Sequence, residues 1–235
     1  MEKISAVIAA AGLGTRLKNY KGNTSTKILI DINKQSMISL QIKQLSSWGI
    51  KKFVVITNPE FDELIKNDLK KNHPNKDIKY TIQEKPLGIA HALKQAENCV
   101  EKESKILFIL GDNFFGENPI QNINLDDNSE AVLFVKPVSN PEEFGVANIV
   151  NDKIKIIEEK PKKPQSNLAV LGLYLYSDNC FELIERLDFS ARGELEITDL
   201  NNLFIKYSNV SFKTLDTWWI DAGTEERIEE LKKLI

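Results

Sequence analysis

Cysteine and histidine are scarce in this chain, two of each in 235 residues. Cys99 and Cys180 stand in dissimilar contexts with no CxxC or Cys/His spacing, so a disulfide framework or thiolate metal site is not expected, and both read as buried reduced thiols. His73 and His91 lack a Ser, Cys or metal-ligand partner at an informative spacing and read as structural or exposed; no nucleophile-and-base pair can be assembled. Nor is there a basic excess. The 31 Lys+Arg against 34 Asp+Glu give a net charge of -3, which argues against a nucleic acid polymer as partner and makes any anion site a local one. No apolar run approaches the ~18 residues of a membrane span, and the N-terminus lacks a basic n-region followed by a long apolar stretch. The expectation is a cytoplasmic protein without a membrane partner.

What is present is an ordinary globular composition, 42% hydrophobic and 28% charged, at a length that buries a sizeable core in one domain. The first half alternates short apolar runs with helical periodicity, the pattern of βα units on a mostly parallel sheet. Strands are predicted over Ile4 to Ala11, Lys52 to Thr57, Ile78 to Gln83 and Lys105 to Gly111. Helices are predicted from Met37 to Trp48, where Gly49 ends the element, from Phe61 to Lys71 and from Gly88 to Val100. After Asp112 the rhythm turns to strands with little helix between them: Ala131 to Val138, Phe144 to Ile149, Ile154 to Glu159 and Ala169 to Tyr176, with Asn151-Asp152 as a hairpin turn. Helices over Cys180 to Leu187 and Glu196 to Tyr207, a strand over Val210 to Leu215, and a terminal helix over Glu225 to Leu234 capped by Thr224 complete the reading. Tyr20 to Thr26 and Gly116 to Ser129 read as loops. The fold class is therefore α/β, a Rossmann-like, mostly parallel (mixed) sheet flanked by helices, with a smaller β-rich part.

Candidate chemistry gathers at predicted strand ends, outside which the ligand crevice of an open α/β sheet lies. After the first strand the chain reads AAAGLGTRLKNYKGNTSTK, from Ala9 to Lys27. A strand running into Gly12-Leu13-Gly14 and then a helical turn brings backbone N-H groups to an anion. The stretch is neither a P-loop, because Thr15-Arg16 follows Gly14, nor a dinucleotide fingerprint, because Leu17 stands where a third small residue belongs. An NAD-linked oxidoreductase is refused as well, since Thr57-Asn58 occupies the strand end that needs a ribose-binding acid. Arg16 can hold phosphate oxygens through two donors at once. Gly111-Asp112-Asn113 places a carboxylate at the exit of a buried strand, and Trp218-Trp219-Ile220-Asp221 offers a second one after an apolar stretch; two such carboxylates could share one Mg²⁺. Glu159 and Lys160 emerge at another strand end, where Pro161 stops the ladder. Gln83 ends a strand ahead of Pro86-Leu87-Gly88 and could read a base edge.

Taken together, these stretches resemble the sugar-1-phosphate nucleotidylyltransferases. Ala10-Ala11-Gly12-Leu13-Gly14-Thr15-Arg16-Leu17 matches the family loop, two small residues and GxGTRL, and Lys27 its following lysine. Gln83, PLGIAHAL from Pro86, GDN from Gly111, FGV from Phe144, EEKP from Glu158, GLY from Gly172, ARGELEITDLN from Ala191 and WxxDxGT ending at Thr224 follow in family order. The resemblance implies Mg²⁺-dependent transfer of a nucleotidyl group from a nucleoside triphosphate, dTTP or UTP favoured, to a sugar 1-phosphate, glucose 1-phosphate favoured. Catalytic roles fall on Arg16, Lys27 and Lys160. Nucleotide contacts fall on Ala11, Gly12, Gly14, Thr15, Gln83, Pro86 and Gly88, and sugar contacts on Asn113, Gly145, Glu159, Lys160 and Gly172. Metal ligation falls on Asp112 and Asp221.

Residues 1 to 113 would then form a nucleotide-binding half and 114 to 235 a sugar-binding half that adds the second metal ligand. No C-terminal β-helix is expected, and homo-oligomerisation is left open. The chain departs from the thymidylyltransferases in Ala10-Ala11, where a second glycine is usual, in Lys18-Asn19-Tyr20, where a proline follows TRL, and in Ser25-Thr26 before Lys27. Use of CTP or GTP with another phosphorylated sugar or small alcohol is an alternative. A non-catalytic module that binds nucleotide sugars is another; it is disfavoured because the charged residues of the site are all retained.

Overall fold

The computed structural model describes residues 4–12, 14, 17, 20, 26–123 and 129–235. The first strand, β1 (Ile4–Ala9), is buried on both faces, as a strand covered by helices on either side must be. A tight hairpin of β2 (Asp31–Ile32) and β3 (Gln35–Ser36) leads into α1 (Met37–Ser47), whose cap Ser36 accepts the Ser39 N–H at 3.1 Å. The alternation continues through β4 (Lys52–Thr57), α2 (Asp62–Asn72), β5 (Asp77–Ile82), α3 (Ile89–Lys94) and β6 (Lys105–Leu110). Strands β4, β1 and β6 lie side by side and parallel, with β5 outermost.

The second half begins with the short β7 (Asn113–Phe115) and continues through β8 (Ala131–Pro137), β9 (Gly145–Val150), β10 (Lys153–Glu159) and β11 (Leu168–Tyr176). It ends with α4 (Cys180–Ile184), α5 (Ile197–Tyr207), β12 (Val210–Thr214), β13 (Trp219–Asp221) and α6 (Glu225–Leu234). Asn151 and Asp152 both have positive φ, 50° and 55°, the geometry of the predicted two-residue turn joining β9 to β10. Among the described residues, strands of both halves form one nine-stranded mixed sheet. Alternation along β1 divides the core: Ala6 and Ile8 face residues of α1, α2 and α6, while Val7 faces α3, α4 and α5. Cys180 is buried and Cys99 only half-buried, which corrects the expectation for the latter; both are free thiols.

Strand β11 makes the site possible. Its last four residues pair antiparallel with β6, whereas near its start Ala169 pairs with Val146 of β9. Between those pairings β6 has ended at Leu110 and β9 begins at Gly145, so the sheet forks beside Val170, Leu171 and Gly172. A fork of this kind leaves a cleft at the carboxyl ends of the parallel strands.

Two helices are shorter than predicted. Helix α3 stops at Lys94, and a 3-10 turn follows over Glu97–Cys99; α4 stops at Ile184. Strand β1 likewise ends at Ala9, two residues early, because the chain turns there into the glycine stretch. The pairing of β7 with β13 was not foreseen, since each is only three residues long. Among the described residues, no helix is long and apolar enough to cross a membrane.

Candidate active site

The β7–β13 ladder joins the two candidate metal carboxylates. Asn113 lies opposite Asp221 in register, and Ala222 N donates to Asp112 O at 2.8 Å, so the backbones that carry Asp112 and Asp221, more than a hundred residues apart in sequence, run side by side. Asp112 pairs with Lys27 and accepts the Asn113 amide at 2.9 Å. Burial pushes the Asp112 carboxyl up, but the Lys27 ammonium and the Asn113 amide outweigh it, and the net direction is downward. Asp112 is therefore an ionised carboxylate at neutral pH.

Asn113 is 1% exposed and its side chain is heavily engaged. Its Oδ1 accepts Trp219 Nε1 at 2.8 Å and Gly172 N at 3.2 Å. Gly172 admits this approach because it has no side chain, as an added Cβ would stand 2.7 Å from Asn113 Oδ1. The GDN and GLY stretches are thus two sides of one contact.

A cleft of 730 Å³ opens at the fork. Asp112, Asn113, Gly145, Glu159, Lys160, Gly172 and Asp221 all line it, which brings every residue expected at the sugar and the metal into one cavity. Thr198 Oγ1 donates to Glu159 Oε2 at 2.6 Å and turns that carboxylate inward from the end of β10. Lys160, half exposed at its side chain, has φ 44° and donates its backbone N–H to Phe144 O at 3.0 Å. A non-glycine residue held in this left-handed region costs of order 1 kcal/mol, strain of the kind stored at functional sites.

Ala11, Gly12, Gly14, Gln83, Pro86 and Gly88 do not line this cleft, although Ile89, next to Gly88, does. Ala11 O is pinned by Asn58 Nδ2 at 2.9 Å, and Gly12 O accepts Thr26 Oγ1 at 3.3 Å. Gln83 Nε2 donates to Gly88 O at 3.0 Å and lies 3.0 Å from His91 Nδ1. Burial lowers the His91 pKa, so a neutral ring is available to accept. Gly88, with φ 106°, passes so close to Leu195 that a Cβ would stand 2.4 Å from its carbonyl oxygen. Pro86 is exposed at the turn. Thr15 and Arg16 lie outside the described residues.

Sequence reasoning missed several groups in the cleft. Thr198 and Trp219 hold Glu159 and Asn113 in place. Arg227, on the first turn of α6, adds a cation, while Glu142 and Glu143 add acidic groups at the rim. The signal for Arg227 was in the chain: Thr224 caps α6, accepting Arg227 N at 3.3 Å, so a residue three after the cap sits on the turn that faces the cleft. Tyr174 was missed too, a buried phenol on the cleft wall whose pKa is pushed up by burial and by Glu159 and Asp221.

The cleft at the strand ends holds the carboxylates of Asp112 and Asp221 with the cations Lys160 and Arg227, and Lys27 pairs with Asp112; similarity to known proteins gives the class. The chain belongs to the nucleotidyl transferase family, whose model matches residues 5–235, and is a sugar-1-phosphate nucleotidyltransferase by its relatives. It is 34% identical to the glucose-1-phosphate thymidylyltransferase of Neisseria meningitidis serogroup A, across 99% of this chain and 82% of that one. A solved glucose-1-phosphate thymidylyltransferase structure from Bacillus anthracis, in complex with sucrose, is 35% identical, covers 98% of this chain and 94% of its own, and superposes with a TM-score of 0.89. The inositol-1-phosphate CTP transferase of T. maritima, at 18% identity over 98% of this chain and 94% of its own and a TM-score of 0.85, shares the fold.

Proposed function

We propose that this protein transfers a nucleotidyl group from dTTP or UTP to glucose 1-phosphate in a Mg²⁺-dependent reaction, releasing pyrophosphate and forming a nucleotide sugar. The observation that carries this reading is the convergence of Asp112, Asp221, Lys160, Glu159, Gly145 and Gly172 on one cleft. An oxygen of the acceptor phosphate attacks the α-phosphorus, the bond from that phosphorus to its bridging oxygen breaks, and pyrophosphate leaves with the electron pair. No covalent enzyme intermediate is needed: contrary to the expectation that His73 has no serine partner, Ser39 Oγ lies 2.9 Å from His73 Nε2, but Ser39 is buried in α1 and neither residue lines the cleft; positioning and charge neutralisation supply the catalysis.

Lys160 neutralises and orients the attacking phosphate, while Glu159, aimed by Thr198, accepts hydrogen bonds from sugar hydroxyls. Gly145 and Gly172 offer backbone to the sugar, and Asn113 braces Asp112. Lys27 and Arg16 neutralise the triphosphate and the leaving group. Two carboxylates fit Mg²⁺, which is commonly bound through one or two of them together with substrate phosphates. When bound by Asp112 and Asp221 it would stabilise charge developing on the phosphate oxygens.

The preference for thymine or uracil is supported by Gln83. With Nε2 directed at Gly88 O and His91, its amide oxygen is left as an acceptor, suited to the N3–H of an imide base and not to the unprotonated N3 of cytosine. Ala11, Gly12, Gly14, Thr15, Pro86 and Gly88 complete the nucleotide side.

Phosphorus NMR of the protein mixed with Mg²⁺, each triphosphate and a panel of sugar phosphates tests this reading. A nucleotide-sugar signal from dTTP or UTP with glucose 1-phosphate, abolished by chelation, is expected. Nucleotide-sugar binding indifferent to chelation, with no turnover, would favour a non-catalytic module instead.

A further inference from the structure

Tyr20 lies three residues beyond Leu17, in the stretch where this chain carries Lys18-Asn19-Tyr20 after TRL, and it is 5% exposed. Its hydroxyl donates to Glu229 Oε1 and accepts from Lys232 Nζ at 2.9 Å. Lys232 also meets Glu229 at 3.2 Å and stands 5.4 Å from the Tyr20 ring centre. At the β2–β3 turn, Asn33 Nδ2 donates to the carbonyls of Lys232 and Ile235 at 3.0 and 2.9 Å. The last turns of α6 are thereby fixed to the glycine stretch and to the hairpin. The N-terminus of the same helix, three residues beyond Asp221 at the end of β13, presents its cap Thr224 and Arg227 to the cleft.

Tyr20 is buried in the same apolar cluster as Leu17, Ile28 and, from α6, Ile228 and Leu231. Leu17 N donates to Gly14 O at 2.9 Å, and Gly14 is so near Lys27 that a Cβ on it would stand 2.7 Å from Lys27 Cβ. Lys27 in turn pairs with Asp112. A phenylalanine at position 20 would fill the same apolar space, so the hydroxyl adds direction: a polar group satisfied by two charged partners holds one geometry where an apolar contact would tolerate several.

We infer that Tyr20, with Glu229 and Lys232, is a positioning device that registers Gly14 and Lys27 against α6, the helix that follows the Asp221 strand, and so sets triphosphate affinity. This rests on the proposed nucleotidyl transfer. The acceptor contacts of Glu159, Lys160 and Gly172 come from other elements, and only Thr224 and Arg227 link α6 to that cleft, so acceptor binding should respond less than triphosphate binding.

Tyr20→Phe, Lys232→Met and the double variant test it, with kcat, both KM values and calorimetric titration of dTTP and UTP in Mg²⁺. Tyr20→Phe is expected to weaken triphosphate binding and raise its KM about tenfold, with the acceptor KM within twofold, and the double variant should be no worse than about the worse single, as for residues acting as a unit. Lowered thermal stability with unchanged triphosphate KM and affinity would overturn the inference, as would equal changes in both KM values. Triphosphate binding that weakens in Tyr20→Phe while the wild type shows no turnover would sink the proposed activity and leave the positioning role standing. A wild type that binds neither triphosphate would overturn both.

Discussion

Replacing Lys27 by Met keeps most of the apolar stem but removes the charge that holds Asp112. Both side chains of the pair are 15% exposed, so the pair is mostly but not wholly withdrawn from water. Stranding one member of a fully buried pair costs about 3–5 kcal/mol, and the remaining solvent access lowers this to about 2–3 kcal/mol here. At this chain length that is a fall in Tm of about 4–12 °C at pH 7. The pH dependence is more diagnostic than the size. In the wild type, Asp112 is held below its ordinary pKa of 3.8, so its contribution is complete above that value and is lost only as pH falls through the lower folded pKa. In the variant, burial acts with that opposition much reduced and the folded pKa rises above 3.8. The variant's penalty is then full at pH 7 and shrinks as pH falls toward 4. Differential scanning calorimetry of both proteins between pH 7 and 4 should show the gap in Tm closing on acidification. A gap that stays constant across this range, or one below about 1 °C at pH 7, would refute the reasoning.

Gly88→Ala forces a Cβ to 2.4 Å from Leu195 O at a φ of 106°, and should destabilise by about 3 kcal/mol or more, read as the shift in urea midpoint at constant slope. Thr224→Ala removes the cap of α6 and should cost about 1 kcal/mol, detectable by the same titration. Burial holds His73 below its ordinary pKa of 6.5, so the unfolded chain takes up this proton first as pH falls below 6.5. Stability should therefore decline from pH 7 toward 5.5, and His73→Asn should flatten part of that decline in denaturant titrations.

The chain declared much of its fold because the parallel strands announce themselves: β1, β4 and β6 are apolar runs bounded by turn residues, and their helices follow at the expected intervals. Asn151-Asp152 was readable because two successive residues tolerant of positive φ suit a two-residue turn. The fork of the sheet at β11 was not readable. Leu168 to Tyr176 is a continuous apolar strand in sequence, and nothing local records that its neighbour changes from β9 to β6. The β7–β13 ladder was hidden for a related reason: three-residue strands carry no periodicity, and their pairing is between segments far apart in the chain. Candidate site residues were legible as strand ends bearing charge or glycine. The residues that aim them were not, because the hydroxyl of Thr198 on Glu159 and the indole of Trp219 on Asn113 act across elements. Glycines 88 and 172 could be noted in sequence, but the backbone and side-chain neighbours that require them come only with the fold.

The central claim is tested most directly by continuous measurement of pyrophosphate release from wild type and Asp112→Asn side by side, with Mg²⁺, glucose 1-phosphate and each of the four common triphosphates in turn. Sustained release with dTTP or UTP by the wild type, and none by Asp112→Asn, is the predicted result. No release with any triphosphate across a panel of sugar phosphates, or undiminished release by Asp112→Asn, would contradict it.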